Sequence, residues 1–241
     1  MKILLTGHKG FIGKYLHARL AKKHTVFGID SIEGNNLLDC DLDYDVDVVI
    51  HLAAKTGVRD SFKKANAYWN TNVEASKRLF HAFPNTRILY ASSSSIYQAE
   101  LNPYAASKLM LEQVASHHDN CLGMRFHTVY SDNPRSGMFM DKLLRGTLEY
   151  VTSHTRDFIH VDDVCDAVEL LLSSDLTGVV DVGTGVTVPV QNLAPHLPLN
   201  LNTQNERQHT QANTEILESL GFKPKYNVKK FLTNLGVEHI I

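Results

Sequence analysis

Apolar positions in this chain fall in short, nearly continuous runs separated by longer amphipathic stretches. Residues 2–5, 26–29, 37–42, 47–53, 87–92, 121–126 and 179–182 have strand length, and the run DVVIHLA at 47–53 is apolar on both faces, as a strand buried in a parallel sheet should be. Helical spacing marks 14–22, where Tyr15, Leu16 and Leu20 are apolar, then 61–82 with a break near Ala65 and Asn66, 103–118, 138–149, and 162–173, which opens on acidic residues. A polar surface link at 200–213 leads to helices at 214–220 and 228–235. Strands alternating with helices predict an α/β chain built on a doubly wound parallel sheet. One step fits poorly. Only residues 43–46 separate the third strand from the fourth, too few for a parallel crossover, so the third strand is either vestigial or part of a bare extended link.

Composition narrows the function by exclusion. With 241 residues, 43% hydrophobic and 21% charged, the chain can bury a substantial core as one globular domain with room for a small lobe. A formal net charge of -2 with scattered Lys and Arg argues against nucleic-acid and membrane-surface binding. No run is long enough to span a bilayer and the apolar start is too short for a signal peptide, so a cytoplasmic protein is expected. Cys40, Cys121 and Cys165 lack paired metal-ligand spacing, and the 13 histidines form no HxxxH or HExxH pattern. Free thiols and no metal site are expected.

The candidate chemistry begins at the first strand. In MKILLTGHKGFIG, Gly7, Gly10 and Gly13 follow the apolar run at three-residue spacing and precede a helix. A turn of this kind lets a pyrophosphate approach the backbone at a helix N-terminus, where N–H groups and a partial positive charge are available. The run at 26–29 ends in Asp30, 23 residues after Gly7, where an acidic residue would hold the adenosine ribose; the alternative is a turn residue at a strand end. Together these predict a dinucleotide site and a Rossmann sheet.

A second constellation lies in NPYAASK. Tyr104 and Lys108 are spaced i, i+4, on one face of a helix that Pro103 starts, and the serine run 92–95 sits one strand earlier. A phenol that takes a proton near neutrality needs its pKa of about 10 lowered, which a neighbouring ammonium favours. A serine hydroxyl can meanwhile hold the reacting oxygen.

At this point TGHKGFIG, VVIHLAAKTGVRDS, YASSSSIY, PYAASK, RFHTVY, RDFIHVDDV and VVDVGTG, in order over residues 1–185, resemble the extended short-chain dehydrogenase/reductases, specifically NAD-dependent nucleotide-sugar epimerases. The resemblance implies a nucleotide-binding Rossmann domain over 1–130, with 157–185 returning to it. It implies a small substrate lobe from 131–156 and 186–241. Ser93, Tyr104 and Lys108 are the implied catalytic residues, with Ser94 as an alternative to Ser93. Gly7, Gly10, Phe11, Ile12, Gly13, Asp30, Asp41, Leu42, Leu52, Ala53 and Ala54 would line bound NAD with Tyr104 and Lys108. The strand end beside the cofactor also includes His51, and Arg125 and Thr128 fall where the chain turns toward substrate.

GVRDS and RFHTVYSDNPRSGMF look most like UDP-glucuronate 4-epimerases, which makes Arg135 a candidate for a hexuronate carboxylate. Arg59, Ser94, Thr128 and Arg156 are further substrate candidates. His127 in place of an aromatic, Ser131 in place of glycine, and Asp132 depart from that pattern. The implied reaction is C4 epimerisation of a UDP-linked sugar through a 4-keto intermediate. Reductase and decarboxylase activities share the same Tyr and Lys. Dehydratases carry an acidic pair where this chain has Ser94 and Ser95, and a non-catalytic dinucleotide-binding protein would not be expected to keep both Tyr and Lys. A homodimer through a four-helix bundle is the family's usual assembly, with helices near 70–83 and 104–118 as candidates and Val73, Leu79 and Phe80 as a stripe that serves either a partner or the core.

Overall fold

The computed structural model describes residues 1–237 and 240. Its contacts divide the chain into two compact units, Met1–Arg125 with Leu171–Val180, and Phe126–Leu170 with Asp181–Ile241. The division departs from the expected domains by placing residues 126–130, 157–170 and 181–185 with the second unit.

The first unit is a mostly parallel sheet with flanking helices. Its elements are β1 (Lys2–Thr6), α1 (Phe11–Leu20), β2 (Thr25–Ile29), β3 (Val48–His51), α2 (Val58–Lys63), α3 (Ala65–Trp69), a π turn (Asn70–Glu74), α4 (Ala75–Ala82), β4 (Arg87–Ser93), a 3-10 stretch (Ser94–Leu101), α5 (Pro103–Ala115) and β5 (Cys121–Phe126). Among the described residues the sheet has six strands in the order β2-β1-β3-β4-β5, completed by Gly178–Val182. β1 pairs in parallel with β2 on one side and β3 on the other, so a crevice opens at their carboxyl ends where the strand order reverses. All four residues of β3 are buried, which accounts for the unbroken apolar run. Pro103 occupies the first turn of α5, and Asn102 Oδ1 caps it by accepting from Ala105 N at 2.8 Å.

Of the two readings of residues 37–42, the link is the one found, and no strand forms there. Residues 36–40 turn instead, with Cys40 N donating to Asn36 O at 2.7 Å. Leu37 and Leu42 are buried against Leu4, Val49, Leu79 and Phe80, so the apolar pattern reflects a link lying on the core. Arg78 of α4 donates to the carbonyls of Leu37 at 2.9 Å and Cys40 at 2.6 Å, satisfying backbone that a ladder would otherwise pair. The stripe Val73, Leu79 and Phe80 is likewise buried within this unit, which removes it as a surface for a partner.

The second unit contains β6 (Thr128–Tyr130), α6 (Phe139–Leu144), β7 (Val151–Thr152), β8 (Thr155–His160), most of α7 (Val161–Leu172), the end of β9 (Gly178–Val182), β10 (Thr187–Pro189), β11 (Leu199–Asn200), α8 (Glu215–Ser219) and α9 (Val228–Asn234). β8 is central to a three-stranded sheet, antiparallel to β10 and parallel to β6. Its core gathers Tyr130, Met140, Leu143, Phe158, Leu193 and Leu232. α6 is shorter than the predicted 138–149 because Gly146, at φ 66, closes it by donating to Leu143 O. Among the described residues no helix is long and apolar enough to cross a membrane.

Candidate active site

The glycine turn is shaped by contacts that leave no room for side chains. Gly7 leaves β1 at φ 73, donates its N–H to Ile29 O at 2.7 Å, and would place a Cβ 2.7 Å from Ala53 N. A Cβ on Gly13 would lie 2.0 Å from Gly7 O. Helix and strand therefore meet at backbone distance. Gly10 stands at the N-cap of α1 and supplies no side-chain cap, so the first-turn N–H groups of Phe11, Ile12 and Gly13 face the crevice end as an anion-binding terminus. Leu52, Ala53 and Ala54 follow β3 at the opposite lip and are half-buried. Asp30 is buried at the end of β2, where Oδ2 accepts from Lys9 N and Oδ1 from Ile32 N, both at 3.0 Å. It is thus both a turn cap and a carboxylate beside the glycine turn. Asp41 is exposed and accepts from Asp43 N at 3.0 Å, while Leu42 is buried in the core. This cradle fits a dinucleotide: its backbone is bare where a pyrophosphate needs it, and its acid stands one strand away.

Beneath the crevice lies a buried polar chain. The parallel register sets Thr6 beside His51. Ala53 N donates to Thr6 Oγ1 at 3.2 Å, Thr6 Oγ1 meets His51 Nδ1 at 2.7 Å, His51 Nε2 meets Ser76 Oγ at 2.8 Å, and Ser76 Oγ donates to Asn72 O at 2.9 Å. Burial, with a smaller contribution from Lys108, pushes His51 down to about 3. Asn72 accepts from Lys55 N at 2.8 Å and donates to Lys55 O and Ser107 Oγ, each at 2.9 Å. It joins the loop after β3 to α5.

The catalytic candidates stand on α5 and at the end of β4. Lys108 is 2% exposed, and its Nζ donates to Ala91 O at 2.9 Å. Burial pushes its ammonium down to about 7, against a partial upward pull from Glu112. Tyr104, one turn earlier, is half-buried and meets the Tyr68 ring edge-on at 6.2 Å; Tyr68 is fixed by donating to Thr56 O and Gly57 O. Ser93 is the last residue of β4, buried, and accepts from Ser95 N at 3.2 Å; Ser94 begins the 3-10 stretch and is also buried. Lys108 and Ser93 therefore bracket the same strand end, one through Ala91 O and the other by position. Ser92 Oγ donates to Glu112 Oε1 at 2.5 Å, and Arg125 closes on both Glu112 oxygens at 2.9 and 2.8 Å while reaching Tyr97 OH at 3.0 Å. Arg125, expected to turn toward substrate, is engaged in this pair.

The remaining substrate candidates are divided between the two units. Arg59 is exposed on α2 of the first unit. Thr128, Arg135 and Arg156 belong to the second unit: Thr128 half-buried on β6, Arg135 exposed in the loop before α6, and Arg156 on β8. Arg156 donates to Thr155 O and Gln208 O at 3.1 and 3.2 Å and reaches Glu206 at 3.4 Å. Asp157, fully buried, accepts from Thr184 N, Thr184 Oγ1, Gly185 N and Ala212 N within 2.7–3.1 Å, which fixes the GTG turn. Asp163, one of the acidic residues that open α7, accepts from Lys225 N and Tyr226 N and so holds a loop distant in sequence. His127 is buried 3.6 Å from the Asp181 carboxylate. Among the described residues no cluster of His, Cys, Asp or Glu could hold a metal ion.

Sequence reasoning missed Asn72, Ser76, Ser107 and Glu112. Polar residues recurring at i, i+4 on a buried helix face, Asn72 with Ser76 and Lys108 with Glu112, were the available signal.

A parallel sheet with a glycine turn at its switch point and a Tyr/Lys pair beside a serine-bearing strand end defines a dinucleotide-dependent enzyme of the short-chain dehydrogenase type. The chain belongs to the NAD dependent epimerase/dehydratase family, whose model matches residues 3–183. It is 30% identical to an uncharacterised UDP-glucose epimerase, YtcB, of Bacillus subtilis, covering 71% of this chain and 72% of the relative. CapI of Staphylococcus aureus is 27% identical over 286 aligned positions, with 94% of this chain and 86% of CapI covered. Since this chain has only 241 residues, the alignment holds internal gaps. A UDP-glucuronic acid 4-epimerase from Bacillus cereus, solved with UDP-glucuronic acid and NAD, superposes with a TM-score of 0.84 at 26% identity, covering 99% and 98% of the two chains.

Proposed function

We propose that this chain epimerises a nucleotide-diphosphate sugar at C4, acting on a UDP-hexose or UDP-hexuronate with NAD as resident cofactor. The observation that carries the reading is the buried ammonium of Lys108 one helical turn from Tyr104 and bonded beside the strand end that bears Ser93. When bound, NAD supplies a reversible hydride acceptor for the sugar carbon. Gly7, Gly10, Phe11, Ile12 and Gly13 would hold its pyrophosphate, Asp30 its adenosine ribose, Asp41 and Leu42 the region of its adenine, and Leu52, Ala53, Ala54 and Lys108 its nicotinamide end.

Tyr104 takes the proton from the sugar 4-hydroxyl and returns it after inversion. Lys108 in its ammonium form favours the phenolate, an effect strengthened by its removal from water. Ser93 donates to the reacting oxygen and keeps it in line, with Ser94 beside it. Arg59, Ser94, Thr128, Arg135 and Arg156 are the groups assigned to the substrate, with Arg135 the fork for a hexuronate carboxylate. The reading of UDP-glucuronate draws on the likeness to the Bacillus cereus epimerase. A dimer would use the α3 to α5 surface, where Trp69, Leu109 and Met110 are exposed.

The test incubates purified protein with UDP-glucuronate, UDP-glucose or UDP-N-acetylglucosamine without added cofactor. Products are separated by chromatography and the released dinucleotide is identified. C4 epimers with NAD unchanged are expected, and Tyr104→Phe should lower the rate by about 10²–10⁴. Conversion that occurs only in a parallel incubation given NADH and consumes it, carbon dioxide release, or no conversion with any of the three sugars would overturn the assignment.

A further inference from the structure

The mouth of the glycine turn carries more charge than holding a ribose requires. Lys9 sits in the turn with its backbone N–H on Asp30. Its ammonium is taken by Glu33, whose Oε1 lies 2.9 Å from Lys9 Nζ and whose Oε2 lies 3.1 Å from His8 Nε2. His8 is buried against Gly28, where a Cβ would come 2.6 Å from the ring, so packing fixes the imidazole that helps to hold Glu33 over the turn. The hydrogen bond from Lys9 holds the Glu33 carboxyl below its ordinary value, so it is ionised at neutral pH. Lys9 and Glu33 remain 47% and 41% exposed in their side chains, within reach of a ligand group entering beside Asp30.

We infer that Glu33 determines cofactor choice: by occupying Lys9 it keeps the surroundings of Asp30 net negative and excludes a dinucleotide bearing a 2'-phosphate. This rests on the reading of the glycine turn and Asp30 as the dinucleotide site. Two carboxylates and one ammonium leave one negative charge, to which a 2'-phosphate would add about 1.5 to 2 more. Without the Glu33 charge the count is zero, and Lys9 becomes a donor for that phosphate. The pair is exposed, so the discrimination is electrostatic and weakens as salt screens it.

The experiment incubates wild type, Glu33→Gln and Lys9→Met/Glu33→Gln with equal excess NAD and NADP, re-isolates each protein by gel filtration, releases the nucleotides with acid and quantifies them. Wild type should retain NAD. Glu33→Gln should raise the retained NADP/NAD ratio by about tenfold in low salt, falling toward twofold in 0.5 M NaCl. The double variant has the wild-type charge count and should return to the wild-type ratio. An unchanged ratio in Glu33→Gln, an equal gain in the double variant, or a gain indifferent to salt overturns the role of Glu33 while leaving the nucleotide site intact. Wild type that retains neither dinucleotide overturns the nucleotide-site reading itself.

Discussion

Replacing Lys108 with methionine should stabilise the fold near pH 6 while abolishing turnover. The ammonium is 2% exposed and burial moves it from 10.5 to about 7, a displacement worth about 5 kcal/mol of penalty on the charged form. Methionine removes that penalty but strips the Ala91 carbonyl of the donor now at 2.9 Å, costing about 1–3 kcal/mol. The balance is a gain of about 2–4 kcal/mol at pH 6, where lysine is protonated in both folded and unfolded wild type. Because the folded-state value is the lower one, the native protein loses its proton between about 7 and 10.5 while the unfolded chain keeps it. The unfolded state then binds more protons, and wild-type stability rises with pH by up to about 1.4 kcal/mol per pH unit. Between pH 6 and pH 9 the advantage of methionine should therefore shrink by about 2–3 kcal/mol. Urea unfolding of both proteins at pH 6, 7.5 and 9 measures this directly. It is done on nucleotide-free samples, since a dinucleotide bound by wild type alone would add its own stabilisation. Groups that titrate alike in both proteins cancel in the difference. A stability difference that does not change with pH, or a methionine variant less stable than wild type at pH 6, would refute the reasoning.

Three further outcomes follow from the same geometry. Gly13→Ala drives a Cβ to 2.0 Å from Gly7 O, so the turn must open; urea unfolding should show a loss of about 1–3 kcal/mol, and the purified variant should carry less dinucleotide than wild type. Glu112→Ala leaves Arg125 and Ser92 without their acceptor; with Arg125 19% exposed in its side chain, the expected loss is about 2–4 kcal/mol by urea unfolding, below the upper range for a broken buried pair. Arg78→Ala frees the carbonyls of Leu37 and Cys40; a loss of about 1–2 kcal/mol is expected, together with faster amide exchange confined to residues 35–47.

What was legible in the sequence was what local rules decide. Gly7, Gly10 and Gly13 announced the turn because no other residue allows its approach to Ala53 and to itself, and Pro103 announced the start of α5. The run 37–42 stayed open between strand and link because an apolar pattern reports burial, and a link pinned by Arg78 buries leucines as well as a strand does. Val73, Leu79 and Phe80 show the same limit: a stripe reveals a buried face without naming what covers it. In the second unit, β7 and β11 have two residues each and β6 and β10 three, too short for any periodicity to register. The Ser92, Glu112 and Arg125 group needs three elements from different parts of the chain, so no spacing encodes it.

The buried chain from Ala53 to Asn72 has a direction, and that direction explains why an uncharged histidine serves there. Ser76 spends its hydroxyl proton on Asn72 O, so toward His51 it can only accept, which places the imidazole proton on Nε2. Nδ1 must then accept from Thr6, and Thr6 Oγ1 is left to accept from Ala53 N. Each group has one role, and protonating His51 would put a hydrogen between Nδ1 and a hydroxyl already pointing at it. A value near 3 keeps that event outside the working pH range. The lip of the glycine crevice at Ala53 and the Asn72 that holds α5 through Ser107 are thus tied by a network that keeps its charge under the proton transfer proposed for Tyr104. The proposed proton transfer would then take place above a floor whose hydrogen bonds stay fixed, as positioning a reacting oxygen against a hydride acceptor requires.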